Sequence, residues 1–402
     1  VSTTLFVVIV VVVTALMFDF TNGFHDSANA MATSVATGAL KPRTAVLLAA
    51  VLNVVGAFLS TEVAKTISGG LVNESFVTPA MVFGGLVGAI LWNLLTWLYG
   101  LPSSSSHALF GGLIGAVLVG AGTAGVNFSV VISKILLPAI VAPLVAGVAA
   151  GLATALAYRI TGNQNKRTRR GFKSGQAVTG SLVALAHGTS DGQKTMGVIT
   201  LVLITANYQD AGTDPQWWVI LTAGLAIGLG TYSGGWRIMR TLGKGLADIE
   251  PAQGFAANAS STATILASSH LGFGLSTTHV CSGSVLGSGV GRAGGTVRWG
   301  TAGRMGLAWL LTLPAAAVVG GLAAWIAITG PVGVAIVLTL LVAGSAVIWV
   351  ISRKTAVDRH NVNEMPEVEV LGEYRTKKER KRALKERQRQ RQPSLTEHGG
   401  PS

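Results

Sequence analysis

The sequence predicts an all-α, polytopic membrane protein, and three observations carry the prediction. Half of the 402 residues are hydrophobic and only 12 % are charged, where a soluble domain has roughly a quarter charged. Apolar runs over 44–60, 79–99, 128–158, 178–206, 216–236, 255–271, 305–328 and 331–352 each come near or above bilayer-spanning length. The chain also carries 52 glycines, which with its alanines suit close helix packing in lipid.

The formal charge of +13 reflects topology rather than a nucleic-acid partner. Residues 353–402 hold 13 of the 30 Lys/Arg and 8 of the 17 acids, so the tail contributes +5 and the remaining +8 lies mostly in loops. The single Cys281 excludes an intramolecular disulfide and has no companion for a zinc site. The apolar amino terminus lacks a basic leader and a small-residue cleavage site, so it reads as a retained first helix. Without a P-loop motif, ATP is not expected as the direct energy source.

In chain order, residues 1–18 form the expected first helix, ending near Asp19. The polar stretch from Asn22 to Thr37 follows it, holding His25, Asp26, Ser27 and Asn29 between apolar segments. Polar atoms in hydrocarbon cost several kcal/mol unless protein, water or a ligand satisfies them, so the default reading is a ligand or ion pathway. Span 44–60 carries Asn53, and Glu62 and Lys65 mark its exit. Span 79–99 ends among Trp92, Trp97 and Tyr99, as interfacial aromatics do. It leads into Pro102-Ser103-Ser104-Ser105-Ser106-His107 and the glycine-rich stretch 108–122. After span 128–158, loop 159–173 has six basic residues and no acids, which places it in the cytoplasm by the positive-inside rule. These features divide the chain into a first membrane repeat (1–158), a basic loop (159–177), a second repeat (178–352) and a basic cytoplasmic tail (353–402). Within the tail, 374–391 reads as a charged surface helix and 392–402 as disordered. The tail is expected to fix orientation, with anionic lipid as the rival partner.

The repeat rests on two motifs. Gly188-Thr189-Ser190-Asp191-Gly192-Gln193-Lys194 overlays Gly23-Phe24-His25-Asp26-Ser27-Ala28-Asn29, aspartate on aspartate. Gly274 to Gly283 overlays Pro102 to Gly111 at an offset of 172, pairing Ser104 with Ser276, His107 with His279 and Gly115 with Gly287. Two membrane halves with corresponding interrupted polar segments indicate a transporter whose site lies between the repeats.

Asp26 and Asp191 are the candidate coupling-ion residues, joined by Asn29. A lone aspartate could merely cap a helix, but duplication inside apolar surroundings favours holding Na⁺ or carrying a proton. Ser104, Ser105, Ser276 and Thr277 are candidate substrate ligands. Single membrane hydroxyls usually bond back to the preceding turn. Doubled runs after a helix break instead combine hydroxyl donors with the N–H groups and dipole of a new helix start, which suits a tetrahedral oxyanion. Gln193 and Lys194 join this set, although Lys194 serves equally well to neutralise a buried carboxylate. His107 and His279 are expected to pack behind the hydroxyls in support, whereas His25 and His187 do not superpose in the repeat and rank below them as a pair.

Together these motifs resemble the Pit family of inorganic phosphate transporters, over about residues 15–325. The resemblance is strongest to the bacterial low-affinity type, through the Asp191-Gly192-Gln193-Lys194 ending. It implies inverted repeats with re-entrant helical hairpins meeting at a central phosphate site. It assigns the family's aspartate-asparagine motif to Asp26 and Asn29, the second aspartate to Asp191, and the serine-threonine pair to Ser104, Ser105, Ser276 and Thr277. The chain departs from the family at Gly274, usually proline, and in the serines of its first hydroxyl motif. It also has Asn53 and Asn258 where sodium-coupled animal relatives carry glutamates, which leans toward protons. The bacterial type further implies phosphate carried as a divalent-metal complex.

The expectation is therefore a multi-pass protein of the cell membrane, not an enzyme, that imports inorganic phosphate by symport with protons or, secondarily, Na⁺. It needs no cofactor, and its partners are phosphate and the lipid bilayer, with a homo-oligomer left open. Another oxyanion such as sulfate is the alternative substrate, since hydroxyls and helix N-termini suit either. An intramembrane serine hydrolase is the remote alternative. Ser104 and His107 could touch at i, i+3, but a duplicated arrangement does not suit a single oxyanion hole.

Overall fold

The computed structural model describes residues 3–162, 165–355 and 357–363. The helix expected over 374–391 and the disorder expected over 392–402 lie outside the described residues. No strand is present among the described residues; the elements are helices throughout.

The long helix α1 (Thr3–Ala36) runs unbroken through the polar motif. Asn22 to Ala36 is therefore the inner part of one helix, where the sequence suggested a segment following a helix that ends near Asp19. Nothing between Asp19 and Ala36 forces a break, since the stretch has one glycine and no proline, and its polar side chains are buried against protein. Its counterpart α8 (Lys166–Thr205) is also a single helix. The Asn165 side chain caps it, accepting from Arg167 N at 3.0 Å and Thr168 N at 2.9 Å. Much of the basic stretch expected as a loop is thus the first two turns of α8.

The remaining elements repeat in the same order. Helix α2 (Pro42–Ala57) is followed across a 64° bend by α3 (Glu62–Thr66), which continues with a wider turn to Leu71. Its match is α9 (Trp217–Ser233), followed across a 60° bend by α10 (Trp236–Arg240) and a similar wide turn to Gly245. The hairpin of α4 (Pro79–Leu98) and α5 (Ser105–Ala121) matches that of α11 (Pro251–His270) and α12 (Thr277–Val290). The short α6 (Phe128–Val130) leads into α7 (Leu137–Thr161), which contains Pro143; α13 (Trp299–Ala327) contains Pro314. Even the two isolated β-bridges correspond, Val72 with Val126 and Ala247 with Val297. Helix α14 (Pro331–Ser352) follows the second repeat without a partner in the first.

The repeats interlock. Hairpin α4–α5 packs on α13 of the other repeat, α11–α12 packs on α7, α1 packs on α9 and α2 on α8. Polar side chains gather inside, while Leu144, Val148, Leu152, Leu310, Leu322 and Leu340 stay exposed on the outer helices. That arrangement inverts the soluble pattern and suits lipid contact. Five helices are long and apolar enough to cross a membrane, or up to seven if each bent pair is one span, among the described residues.

Glycines set the hairpin positions. A Cβ at Gly115 would lie 2.0 Å from Ala317 O on α13, and one at Gly287 would lie 1.9 Å from Gly147 O on α7. Gly111 and Gly283, one turn earlier, face Leu313 O and Pro143 O in the same way. Gly115→Ala and Gly287→Ala should each destabilise the protein by about 1–3 kcal/mol, because the obstacle is backbone and the helices must part. Thermal unfolding in detergent checks this; unchanged midpoints for both variants would contradict the interlocked packing.

Candidate functional site

Each hairpin turns at the polar motif, so α5 and α12 begin there. Ser104 caps α5 by accepting from His107 N at 3.0 Å, and Ser276 caps α12 by accepting from His279 N at 3.2 Å. The two starts meet: the His107 and His279 rings stack at 4.8 Å, and His279 stacks on Trp309 at 4.2 Å. His107 Nδ1 also lies 2.7 Å from Ser104 Oγ, and His279 Nδ1 lies 3.4 Å from Ala139 O. The paired histidines thus brace the two helix starts against each other.

The next hydroxyl of each hairpin donates to the aspartate of its own repeat. Ser105 Oγ donates to Asp26 Oδ2 at 2.5 Å, and Thr277 Oγ1 to Asp191 Oδ2 at 3.1 Å. The hydroxyl after that crosses to the other repeat. Thr278 Oγ1 accepts from Asn29 Nδ2 at 2.9 Å and donates to Asp26 Oδ1 at 3.0 Å. Ser106 Oγ accepts from Lys194 Nζ at 2.5 Å. Lys194 also pairs with Asp191 Oδ1 and donates to Leu275 O at 2.9 Å. Asp26, Asp191, Lys194 and the four hydroxyls are at most 2 % exposed.

His187 joins the two halves. Its Nε2 stands 3.2 Å from Asp191 Oδ2 and 4.0 Å from Asp26 Oδ2. Asn53 gives Nδ2 to Thr231 Oγ1 at 2.8 Å and presents Oδ1 to His187 Nδ1 at 3.0 Å. The amide oxygen only accepts, so it takes the Nδ1 proton and leaves Nε2 facing the carboxylates. One atom each from Asp26, His187 and Asp191 lies within 4.8 Å of the others, a buried set able to hold a cation. His25 Nδ1 completes the cluster, 2.8 Å from Asp26 Oδ1.

Of the residues singled out from sequence, Asp26, Asn29, Asp191, Lys194, Ser105 and Thr277 share one connected network. Ser104 and Ser276 stand at its edge as helix caps, backed by His107 and His279. Gln193 is engaged elsewhere, its Oε1 accepting from Val63 N at 2.7 Å and Ala64 N at 3.4 Å at the first turn of α3. Sequence reasoning missed Ser106, Thr278 and Asn22, whose Oδ1 lies 2.7 Å from Ser105 Oγ. It underrated His187, whose spacing four residues before Asp191 was the available signal. Asp19 was taken for a helix end. It is fully buried on α1, and neither carboxylate oxygen has a hydrogen-bond partner among the described residues.

Comparison with known proteins agrees with this architecture. Residues 22–320 match the model of the phosphate transporter family. A Mycobacterium leprae protein named "Probable low-affinity inorganic phosphate transporter" is 56 % identical over 364 residues, 90 % of this chain and 88 % of its own. A Bacillus subtilis protein of the same name is 43 % identical, covering 80 % of this chain and 97 % of its own. A solved structure described as "The sodium-dependent phosphate transporter" superposes with a TM-score of 0.70 at 25 % identity, over 80 % of this chain and 98 % of its own. The family match spans both repeats and the whole of the carboxylate–hydroxyl network, and the chain belongs to the phosphate transporter family.

Proposed function

We propose that the protein is a secondary transporter that imports inorganic phosphate across the cell membrane, with a proton or cation moving alongside it. The observation that carries this reading is the meeting of two hydroxyl-capped helix starts beside two buried carboxylates from opposite repeats. Helix N-termini and hydroxyls supply donors to a tetrahedral anion without a tight cationic clamp. Loop 159–173 and the tail face the cytoplasm by the positive-inside rule.

The same carboxylates make coupling obligatory. An anion about 4 Å from an ionised carboxylate is repelled by about 4 kcal/mol at an effective dielectric near 20. Phosphate therefore binds well only when a proton or cation has neutralised that charge, and it leaves when the proton or cation leaves. His187 favours protons, because its Nε2 faces both carboxylates. A divalent metal travelling with phosphate would use the same two carboxylates and imidazole. Sodium is the second reading, motivated by the superposable transporter described as sodium-dependent. Alternating access around this fixed site follows from the repeat architecture.

Labelled phosphate uptake into proteoliposomes, with pH and Na⁺ gradients imposed separately and sulfate as competitor, tests the assignment. A pH gradient should drive accumulation and excess sulfate should not block it. Accumulation under neither gradient, or full competition by sulfate, would contradict the reading. Asp26→Asn should abolish gradient-driven accumulation while phosphate exchange persists, since the substitution preserves shape and removes the charge. Normal accumulation by this variant would return Asp26 to a structural role. Ser105→Ala and Thr277→Val should each weaken apparent phosphate affinity roughly tenfold, consistent with about 1–3 kcal/mol for a buried donor lost. Uptake kinetics at normal expression measure this, and unchanged affinity in both would move the anion away from these hydroxyls.

A further inference from the structure

The site is close to twofold symmetric, and its main departure from symmetry concerns charge. Within α1 and α8, Asp26 corresponds to Asp191 and, three residues on, Asn29 corresponds to Lys194. Within the hairpins, Ser106 corresponds to Thr278 and Ser103 to Leu275 at the offset of 172. The contacts follow the same correspondence. Asn29 Nδ2 donates to Thr278 Oγ1 of the second repeat, and Lys194 Nζ donates to Ser106 Oγ of the first. Lys194 Nζ is surrounded by a carboxylate oxygen of Asp191, the hydroxyl of Ser106 and the carbonyl of Leu275. Carboxylate, hydroxyl and carbonyl oxygens are the ligand set of a hard monovalent or divalent cation. The first-repeat equivalents are Asp26 Oδ1, Thr278 Oγ1 and the Ser103 carbonyl. There a neutral carboxamide stands in place of the ammonium, and its Oδ1 has no hydrogen-bond partner among the described residues. No lysine or arginine lies within 4.0 Å of Asp26 among the described residues; the ionisable side chains beside it are His25 and His187.

We propose that the Lys194 ammonium is a tethered cation, permanently filling in the second repeat the oxygen-lined position whose first-repeat counterpart takes an exchangeable cation or proton. The carrier then moves one cation fewer per phosphate than two symmetric sites would. A lysine supplies the same charge as a bound monovalent ion, but its four-carbon stem holds it in place through the transport cycle. Its role is to neutralise Asp191 as a cation would, and its oxygen contacts leave the phosphate to the helix starts and hydroxyls. This inference rests on the phosphate-carrier reading for its consequence in transport, while the vacated position can be tested without phosphate.

Lys194→Asn reproduces the first repeat's Asp-x-x-Asn in the second. Two measurements on purified protein in detergent decide the matter. In the first, thermal unfolding is followed without phosphate as NaCl replaces choline chloride at constant ionic strength, and then as pH is lowered. Lys194→Asn should gain a cation- or proton-dependent rise in midpoint beyond any shown by wild type, because a ligand that binds only the folded state stabilises it. In the second, phosphate affinity is measured by calorimetry against the same variables. A tenfold rise in the active cation should raise the variant's affinity about tenfold more than it raises that of wild type, the linkage expected for one additional site. Equal responses in both measurements would overturn the proposal. Wild type that binds no phosphate would instead defeat the transport reading, and the first measurement would still decide this one.

Asp191 left without its partner could prevent folding, so Asp191→Asn/Lys194→Asn supplies the second test. It removes both charges and leaves no buried ion unpaired. The double variant has no carboxylate left at this position to hold an added cation, so the extra cation dependence seen in Lys194→Asn should be absent from it. The same extra dependence in the double variant would mean that the cation does not sit on Asp191, which also overturns the proposal.

Discussion

Two carboxylates buried side by side in the middle of a membrane protein are the constraint on which the rest depends. Asp26 and Asp191 come from opposite repeats, and His187 stands between them. Leaving either charge unsatisfied in that environment would cost several kcal/mol. The surroundings answer in kind: hydroxyls from both hairpins, a lysine on one side and an imidazole on the other. The answer is uneven. Asp191 has a covalently held counter-charge in Lys194, whereas Asp26 is met by the hydroxyls of Ser105 and Thr278 and by imidazoles. An electrostatic demand met by a fixed charge in one half and without one in the other is what the proposed coupling would use.

The fold supplies this geometry by interlocking two copies of one plan. Each hairpin contributes one hydroxyl to its own aspartate and the next to the other repeat, so neither half completes the site alone. Glycines make the crossing possible. Gly115 and Gly287 bring α5 and α12 against the backbones of α13 and α7, and the stacked His107 and His279 lock the helix starts together. In lipid, where burying apolar area gives little net gain, such backbone approach and polar contact are what hold helices in register.

Much of this was legible in the sequence, because polar motifs inside apolar runs stand out and because they occur twice. The paired aspartates, the hydroxyl runs, the helix starts at Ser104 and Ser276 and the glycine pairs all followed from that pattern. Other features depend on partners distant in the chain. The continuity of α1 through Asn22–Ala36 could not be read from local polarity, since burial against α4, α8 and α9 decides it. His187 was discounted because its repeat mate is Asn22 rather than a histidine, although its place between the carboxylates is set by three dimensions. Gln193 sits beside Asp191 in sequence and yet caps α3, since consecutive helix residues face different directions. Thr278 and Ser106 were passed over as third members of hydroxyl runs. Which hydroxyl of a run crosses between repeats is fixed by helix phase at the hairpin turn.

The central claim is that phosphate binds where the two helix starts meet, between the repeats. An experimental structure of the protein with arsenate, whose electron-rich centre marks the anion, tests it most directly. The account predicts the anion within hydrogen-bond reach of the first turns of α5 and α12, touching hydroxyls from both hairpins beside Asp26 and Asp191. An anion held within a single repeat, or away from Ser105 and Thr277, would contradict it.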